Sequence, residues 1–522
     1  MNALVGVLLR FRKDDIAFIC DVEQMFHSFF VNPKAKTFCD SCGSKEALSS
    51  PGVANFCLHE TAKAGREEFG DEAADFLLKD FYVDDGLKSA PNLDHAVKLI
   101  KENQAVCAAK NLRLQKFASN SKKVLEAIPK GDRAKDLKDL DLRHDALPFQ
   151  RSLGNYWCIE SDTPGFRIEL KDKPLTGRGI LSTTSSVYDP LGIVSPVILA
   201  GKQLLQILCQ QNVGWDDPVP DDIAQKWERW RSELPLLEKV KIDRCVKPPG
   251  FGIPVKAEVH SFSDGSDDGL GQVSYLRLVN ARGEVHVSFL MAKSRVGPLK
   301  AISIPRMELT ASVISVNVAD MLKSELNYKD LKCAFYTDSE IVIGYINNNA
   351  RRFHVYVGNR VQYIRDRTDP VQWNHIRGKD NPADEASRSM SAKELLNNCR
   401  WLRDPDMLWE ADVPFFSEPR YLTELADDDM EVRTGPKIED QASEAQATTL
   451  LRKGAEVKPP QPIHMYIERF WTWHKAKLWI TAIRHGIRRL RERVLSKKTT
   501  PKETDSHERT VPELQEAEKL II

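Results

Sequence analysis

Apolar and polar positions change period several times along the 522 residues, and each change marks an expected element. The clearest succession runs from Val259 to Arg388. Val259 to Asp264 alternates as a strand that ends on a carboxylate. Two more alternating runs, Val273 to Val279 and Glu284 to Met291, are joined by Asn280-Ala281-Arg282-Gly283, whose glycine suits a hairpin turn. From Glu308 the period lengthens, with Leu309, Val313, Val316 and Met321 on roughly one helical face. Cys333 to Thr337 reads as a strand delivering Asp338, and two short helical runs follow. A last strand, Val371 to Ile376, leads through Gly378-Lys379-Asp380-Asn381 into a helix start at Pro382-Ala383-Asp384. The predicted order is β-β-β-α-β-α-α-β-α.

The flanking patterns are less regular. Ile16 to Asp21 reads as a buried strand that hands over an aspartate, and Phe81-Tyr82-Val83-Asp84-Asp85 as a hairpin with paired acids in its turn. Asn92 to Leu112 is helical, and Lys122 to Arg143 alternates in charge as a solvated helix and loop would. Ser152 to Trp157 and Phe166 to Leu170 alternate as strands. Thr183 to Gly192 breaks the pattern before a Leu-rich helix expected near Val197, and Trp227 and Trp230 share a further helix. Trp401 to Pro419 is aperiodic and is expected to be an arm packed on the preceding domain. Asp427 to Pro462 is acidic and then rich in Ala, Ser, Gln and Pro, a composition expected to stay without fixed structure. Tyr466 to Leu495 is an amphipathic helix whose stretch Arg484 to Arg493 is strongly basic. It fits a protein partner, with nucleic acid or an anionic membrane surface as alternatives.

Composition narrows the field. The length predicts about three domains. Lys+Arg and Asp+Glu both number 75 and cancel, so a nucleic-acid partner must be argued from local patches. The 10 cysteines form no disulfide-like framework, and the apolar start up to Leu9 runs straight into Arg10-Phe11-Arg12-Lys13 without a signal peptide. No apolar run reaches the ~18 residues of a transmembrane segment. A reduced intracellular setting, cytoplasmic or nuclear, is expected.

The candidate chemistry lies in acids placed at element ends. Two Mg²⁺ ions about 4 Å apart need carboxylates converging from separate elements. Asp264, Glu308, Asp338 and Asp384 sit in Phe262-Ser263-Asp264-Gly265-Ser266, Pro305-Arg306-Met307-Glu308-Leu309, Tyr336-Thr337-Asp338-Ser339-Glu340 and Asn381 to Arg388. Any one of them alone reads better as a loop or helix-start charge. In the same way the adjacent Asp84 and Asp85 alone read as an exposed turn, whereas with Asp21 they point to a cation between them. Cys39 and Cys42 with Cys57 and His59 imitate zinc spacing, but the second pair is too tight for a usual finger.

On these motifs the chain resembles the Pol polyprotein of Pao/BEL-type long-terminal-repeat retrotransposons. The resemblance implies an α+β and α/β multidomain chain. Its parts would be a truncated reverse-transcriptase palm and start of thumb at 1–145, thumb and connection at 146–250, a ribonuclease H-like mixed-sheet domain at 251–400, an arm and linker at 401–462, and a basic helix and charged tail at 463–522. It makes Asp264, Glu308, Asp338 and Asp384 the metal ligands of a nuclease, with His375 either a proton shuttle or a strand histidine without a part. It makes Asp21, Asp84 and Asp85 a polymerase triad, also binding two Mg²⁺, and Phe26 the gate against a ribose 2′-hydroxyl. Ser50, Pro51 and Gly52 would lie in the segment that positions template and nucleotide.

The implied partners are an RNA–DNA hybrid, a template-primer and, for a working palm, dNTP. The implied reaction is Mg²⁺-dependent cleavage of the RNA strand of the hybrid. RNA-directed DNA polymerisation would be impaired, because the fingers are expected to be missing and Asn32 to Glu46 is polar where palm strands belong, leaving the palm sheet with an unpaired edge; protease and integrase are likewise expected to be missing. The alternative is a catalytically dead relic that only binds nucleic acid or protein.

Overall fold

The computed structural model describes residues 3–28, 51–138, 149–152, 155–349, 351–397, 400–403, 405–411, 425 and 429–433. All of these lie in the first of two compact units, 1–443. The stretch Asn32 to Glu46, with Cys39 and Cys42, and the basic helix from Tyr466 lie outside the described residues.

The first part is a small antiparallel sheet under helices. Strand β1 (Ile16–Val22) follows helix α1 (Leu4–Phe11), and helices α2 (Pro51–Phe69) and α3 (Asp71–Lys79) lead to β2 (Phe81–Tyr82) and β3 (Asp85–Ala90). Helix α4 (Leu93–Ala108) and strand β4 (Leu114–Ser119) complete it, in the strand order β2-β3-β1-β4. Strand β1 is therefore paired on both sides, and the unpaired edge expected beneath Asp21 does not fall there. Alternation along β1 divides the packing. Phe18, Cys20 and Val22 join Phe76, Phe81 and Leu99 under α2–α4, while Ala17 and Ile19 face the larger core that continues through the rest of the molecule. The segment after β4 is less solvated than its charges predict. Its helix Lys122–Glu126 buries Val124 and Leu125.

A three-stranded sheet, β5 (Phe149–Ser152), β6 (Asn155–Cys158) and β7 (Thr163–Gly165), precedes helices α5 (Gly177–Ser186), α6 (Ser195–Gln210) and α7 (Asp221–Glu233). Phe166 to Leu170, expected as a strand, has no ladder partner among the described residues; its Ile168 amide instead donates to Glu238, 2.8 Å away. Thr183 to Ser186 closes α5 rather than breaking the chain, and α6 begins at Ser195, with Pro196 in its first turn. Between these helices the carboxylate of Asp189 accepts the Ile193 and Val194 amides at 2.9 and 2.8 Å.

The second sheet has five strands in the order β10-β9-β8-β11-β12. Strands β8 (Pro254–Gly265), β9 (Gly269–Asn280) and β10 (Val285–Val296) are an antiparallel meander, with Gly283 at φ 80° in the second turn. Helix α8 (Ile304–Leu326) returns the chain so that β11 (Lys332–Thr337) lies parallel to β8. Helices α9 (Glu340–Asn347) and α10 (Val355–Arg365) lead to β12 (Trp373–His375), parallel to β11, and helix α11 (Ala383–Arg388) follows. The predicted order holds, with two differences. Helix α8 starts a turn before Glu308, and Pro370–Gln372 is a 3₁₀ turn capped by Asp369 that shortens the last strand.

Helices α5–α7 belong physically with this sheet. Helix α6 packs on β10, the Leu191 carbonyl accepts the Ala292 amide at 2.8 Å, and one hydrophobic core runs through both. The described part of the arm packs as expected. Trp401 is fully buried and donates to the Ile193 carbonyl at 2.7 Å, and Arg277 donates to the carbonyls of Leu408, Glu410 and Ala411. Asp429–Arg433, expected to be structureless, is docked beside α8. Glu431 pairs with Arg306 at 2.6 Å, Asp429 accepts from the Tyr345 hydroxyl at 3.1 Å, and Val432 bridges Phe353.

The joint between the two parts is made by buried arginines. Arg12 donates to the carbonyls of Arg244 and Leu290. Arg244 uses all five of its N–H donors, on both oxygens of Asp162 and on the carbonyls of Phe11, Asp14 and Asp15. Replacing Arg244 by Ala removes all five of these bonds and leaves Asp162 with only the neutral donors Asn120 and Trp157. It is expected to lower stability by about 3–5 kcal/mol, read as the urea midpoint. Arg244→Lys should recover less than half of that, since an ammonium has three donors and no planar fork.

Candidate active site

Four acids meet at one end of the five-stranded sheet, and local backbone geometry brings them there. Strands β8 and β11 run parallel with Phe262 opposite Tyr336, so Asp264 and Asp338, each two residues further on, leave the sheet at the same end. Glu308 reaches them because Gly265 has no side chain: a Cβ there would lie 2.5 Å from the Glu308 amide nitrogen. Gly271, opposite Asp264 in the β8–β9 register, does the same for α11, since a Cβ on it would lie 2.6 Å from the Ser387 nitrogen. Helix α11 thereby lies against β9 and presents Asp384 to the group.

The acids feel one another. Burial pushes the Asp264 carboxyl up to about 6, the Asp338 and Asp384 charges add to this, and a hydrogen bond from Ser387 opposes it. Burial likewise pushes Glu308 up to about 7, helped by Asp338 and Asp264 and opposed by a hydrogen bond from Ser339. Asp338 is raised by burial and by Asp384, and eased by a hydrogen bond from Asn381. Asp384 is turned onto Arg388. As placed, no three His, Cys, Asp or Glu side chains among the described residues share the reach of one metal ion. The donor chemistry nonetheless fits a hard divalent cation: oxygen ligands from four elements, crowded with like charge.

His375 lies on β12 opposite Thr337, and its Nε2 is 3.1 Å from the Asp338 carbonyl. Sequence reasoning missed Ser387, Ser339, Asn381 and Arg388, the groups that hydrogen-bond or pair with the acids. Their signal was the polar run Asn381 to Arg388 and the serine after Asp338, small polar residues flanking each acid.

The second group of acids lies in the first sheet. Asp21 and Asp85 are register partners across β1 and β3, and the Asp84 carbonyl accepts the Val22 amide at 3.0 Å. Between Tyr82 and Asp84, Val83 has φ 59°, a left-handed conformation that a β-branched residue adopts at a cost of about 1–3 kcal/mol. Asp21 is raised by burial, and the Asp84 charge adds to this, while Lys116, 3.0 Å from its carboxylate, pulls it back. Phe26 is half-buried in the 3₁₀ turn Met25–His27 after β1 and packs against the core under α2–α4. Pro51 and Gly52 open α2, and Ser50 lies outside the described residues. Cys57 and His59 are two positions apart on α2, a spacing that turns side chains to different faces, which does not suit a shared zinc.

The raised carboxyls fix a pH dependence. Folded Asp264 and Glu308 hold protons more tightly than at their ordinary 3.8 and 4.5. Their stabilising contribution is complete below those values and is lost as pH rises through about 6 to about 7. In the absence of divalent metal, Asp264→Asn is expected to raise stability by roughly 1–3 kcal/mol at high pH and by little at low pH. Urea midpoints of both chains at about pH 3.5 and about pH 8 check it, and a parallel pH dependence in the two would overturn it.

With this geometry in hand, residues 176–339 match the Pao retrotransposon-like RNaseH-like domain, a span holding α5–α8 with Asp264, Glu308 and Asp338. It starts inside the stretch assigned from sequence to thumb and connection. No curated protein matches the chain. Among solved structures, the foamy viral protease–reverse transcriptase in complex with an RNA/DNA hybrid is similar at 12% identity and a TM-score of 0.41, over 72% of this chain and 46% of that one. The chain thus spans about half of that protein's length. The N-terminal ribonuclease H domain of a Mycobacterium tuberculosis protein, solved as a maltose-binding-protein fusion, is similar at 12% identity and a TM-score of 0.18, over 26% of this chain and 94% of that one. Ribonuclease H1 from Halobacterium salinarum is similar at 13% identity and a TM-score of 0.18, over 27% and 98%. The chain therefore carries the Pao-type retroelement domain that its acids and element order resembled.

Proposed function

We propose that the chain is a nuclease that cuts the RNA strand of RNA–DNA hybrids, with Asp264, Glu308, Asp338 and Asp384 as its metal ligands. The observation that supports it is the crowding of these four acids at one sheet end, with Asp264 and Glu308 raised toward neutrality by burial and mutual repulsion. Two Mg²⁺ ions held there would supply charge for the attacking water and for the leaving oxygen. Asp264, Glu308, Asp338 and Asp384 would hold the ions, Asp384 only on leaving Arg388. Ser387 keeps one oxygen of Asp264 engaged, which orients the other. For His375 to carry a proton it has to give up its contact with the Asp338 carbonyl. The hybrid would be recognised by groove width and 2′-hydroxyls rather than by sequence.

For the first sheet we propose a reverse-transcriptase palm whose polymerase is weak or silent, because Lys116 holds the Asp21 carboxylate where a cation would have to be shared with Asp84 and Asp85. An intracellular setting is part of the same proposal. No helix among the described residues is long and apolar enough to cross a membrane.

The full chain with Mg²⁺ is expected to cleave a labelled RNA–DNA hybrid. Asp338→Asn should lower the rate by roughly a hundredfold or more, and Asp84→Asn should leave it unchanged. A folded chain that binds the hybrid without cutting it would overturn the catalytic reading and leave a binding module.

A further inference from the structure

The far side of the molecule carries a second site. A cleft of about 860 Å³, within the size range of concave ligand sites, opens where the two sheets adjoin. Every strand that lines it does so at the end away from the acids. Lys13 and Asp14 precede β1, whose far end bears Asp21, and Pro91 follows β3, whose start is Asp85. Pro254 to Glu258 begin β8, which ends with Asp264 and Gly265, and Lys332 begins β11, which ends just before Asp338. Asn327 to Asp330 follow α8, whose opposite end holds Glu308. From Glu258 to Asp264 the strand alone spans about 20 Å.

Its charge is local and positive in a chain that is neutral overall. Lys247 is matched by Asp14 at 2.7 Å and Arg277 by Glu258 at 2.8 Å. Of the other charged side chains in the lining, Lys13, Lys256 and Lys329 stand against Asp330. The Lys13 ammonium is pulled down by burial, held up by the Asp14 and Asp80 charges, and pushed down further by Lys88 and Lys247. The walls also offer flat and apolar surface. Lys13 sits 4.7 Å over the Tyr328 ring, and the Tyr328 hydroxyl, withdrawn from solvent, has no hydrogen-bond partner among the described residues. Ile253 and Val255 are 88% and 63% exposed.

We propose that this cleft binds the backbone of a single-stranded nucleic acid, on the face opposite both groups of acids. Lysine point charges track phosphates without demanding a register, and an aromatic ring with adjacent aliphatics gives base faces a platform. The lining is made of strand ends and loops, with no helix or ribbon standing out to enter a duplex groove. A strand held here lies a strand-length from the nuclease acids, so it is a separate contact from the hybrid being cut. The proposal goes beyond the nuclease reading, because its readout is binding without catalysis.

The test is fluorescence anisotropy of a labelled ten-nucleotide oligothymidylate with the full chain in EDTA. Lys256→Glu with Lys329→Glu, both exposed side chains, is expected to weaken binding at least tenfold and to flatten its salt dependence. Lys226→Glu, on the exposed face of α7, should leave both unchanged, and hybrid affinity should stay within twofold in all variants. If the double reversal does not fold, Lys256→Gln with Lys329→Gln replaces it, with a loss of at least threefold. Unchanged oligothymidylate affinity in the cleft variant, an equal loss in Lys226→Glu, or tighter binding of a labelled decaglutamate than of the oligothymidylate would each overturn the proposal.

Discussion

Two absent methyl groups decide where the chemistry of this chain sits. At Gly265 the end of β8 touches the backbone of α8 at Glu308, and at Gly271 the start of β9 touches the backbone of α11. Any larger residue would force one of these helices outward. Asp264 would then keep Asp338 as its neighbour, because strand pairing fixes that, but it would lose Glu308 or Asp384. The group of four therefore rests on backbone contact between elements far apart in sequence, with the sheet setting two members and the close approaches setting the others.

Gathering four carboxylates works against folding, and the chain meets that cost differently at its two acidic sites. At the end of β8 it uses neutral donors, Ser387, Ser339 and Asn381, which hold the carboxylates in place without cancelling their charge, while Arg388 engages Asp384 at the margin. In the first sheet it uses a full positive charge, Lys116, directly on Asp21. Neutral donors leave a field that a divalent cation can satisfy, whereas a lysine satisfies much of it already. The same logic separates a site poised for a metal from one partly closed to it.

The acids and their elements were legible in the sequence because strand alternation and helix starts are local, and each acid lies at an element end where a change of period announces it. Other features depend on partners far away. Phe166 to Leu170 alternates like a strand, yet no neighbouring backbone among the described residues pairs with it, and Glu238 takes the Ile168 amide. The acidic run near Asp429 reads as solvated until Arg306, Tyr345 and Phe353 are seen beside it. The helices from Gly177 to Glu233 look like a separate region because their apolar faces say nothing of β10, on which the middle helix α6 packs with the other two against it. Ser387 was hidden for a simpler reason: a serine three residues after an aspartate on a helix is ordinary until the helix is laid against β9.

The balance of charge has the same character. Equal numbers of acidic and basic residues argue against any electrostatic partner when averaged over the chain. In parallel and antiparallel sheets alike, however, a strand has two ends, and here the two ends carry opposite signs. The C-terminal ends of β8 and β11 and the start of α8 bring together Asp264, Asp338 and Glu308, while their other ends carry Lys256, Lys332 and Lys329. Segregation of this kind costs a folded chain repulsion on both faces, and hydrophobic burial alone gives no reason for it. Ligands of opposite sign would: on the proposed readings, a cation among the carboxylates and a phosphate chain among the lysines would each remove the repulsion on one face. With the sheet between them, occupancy of one face leaves the other free.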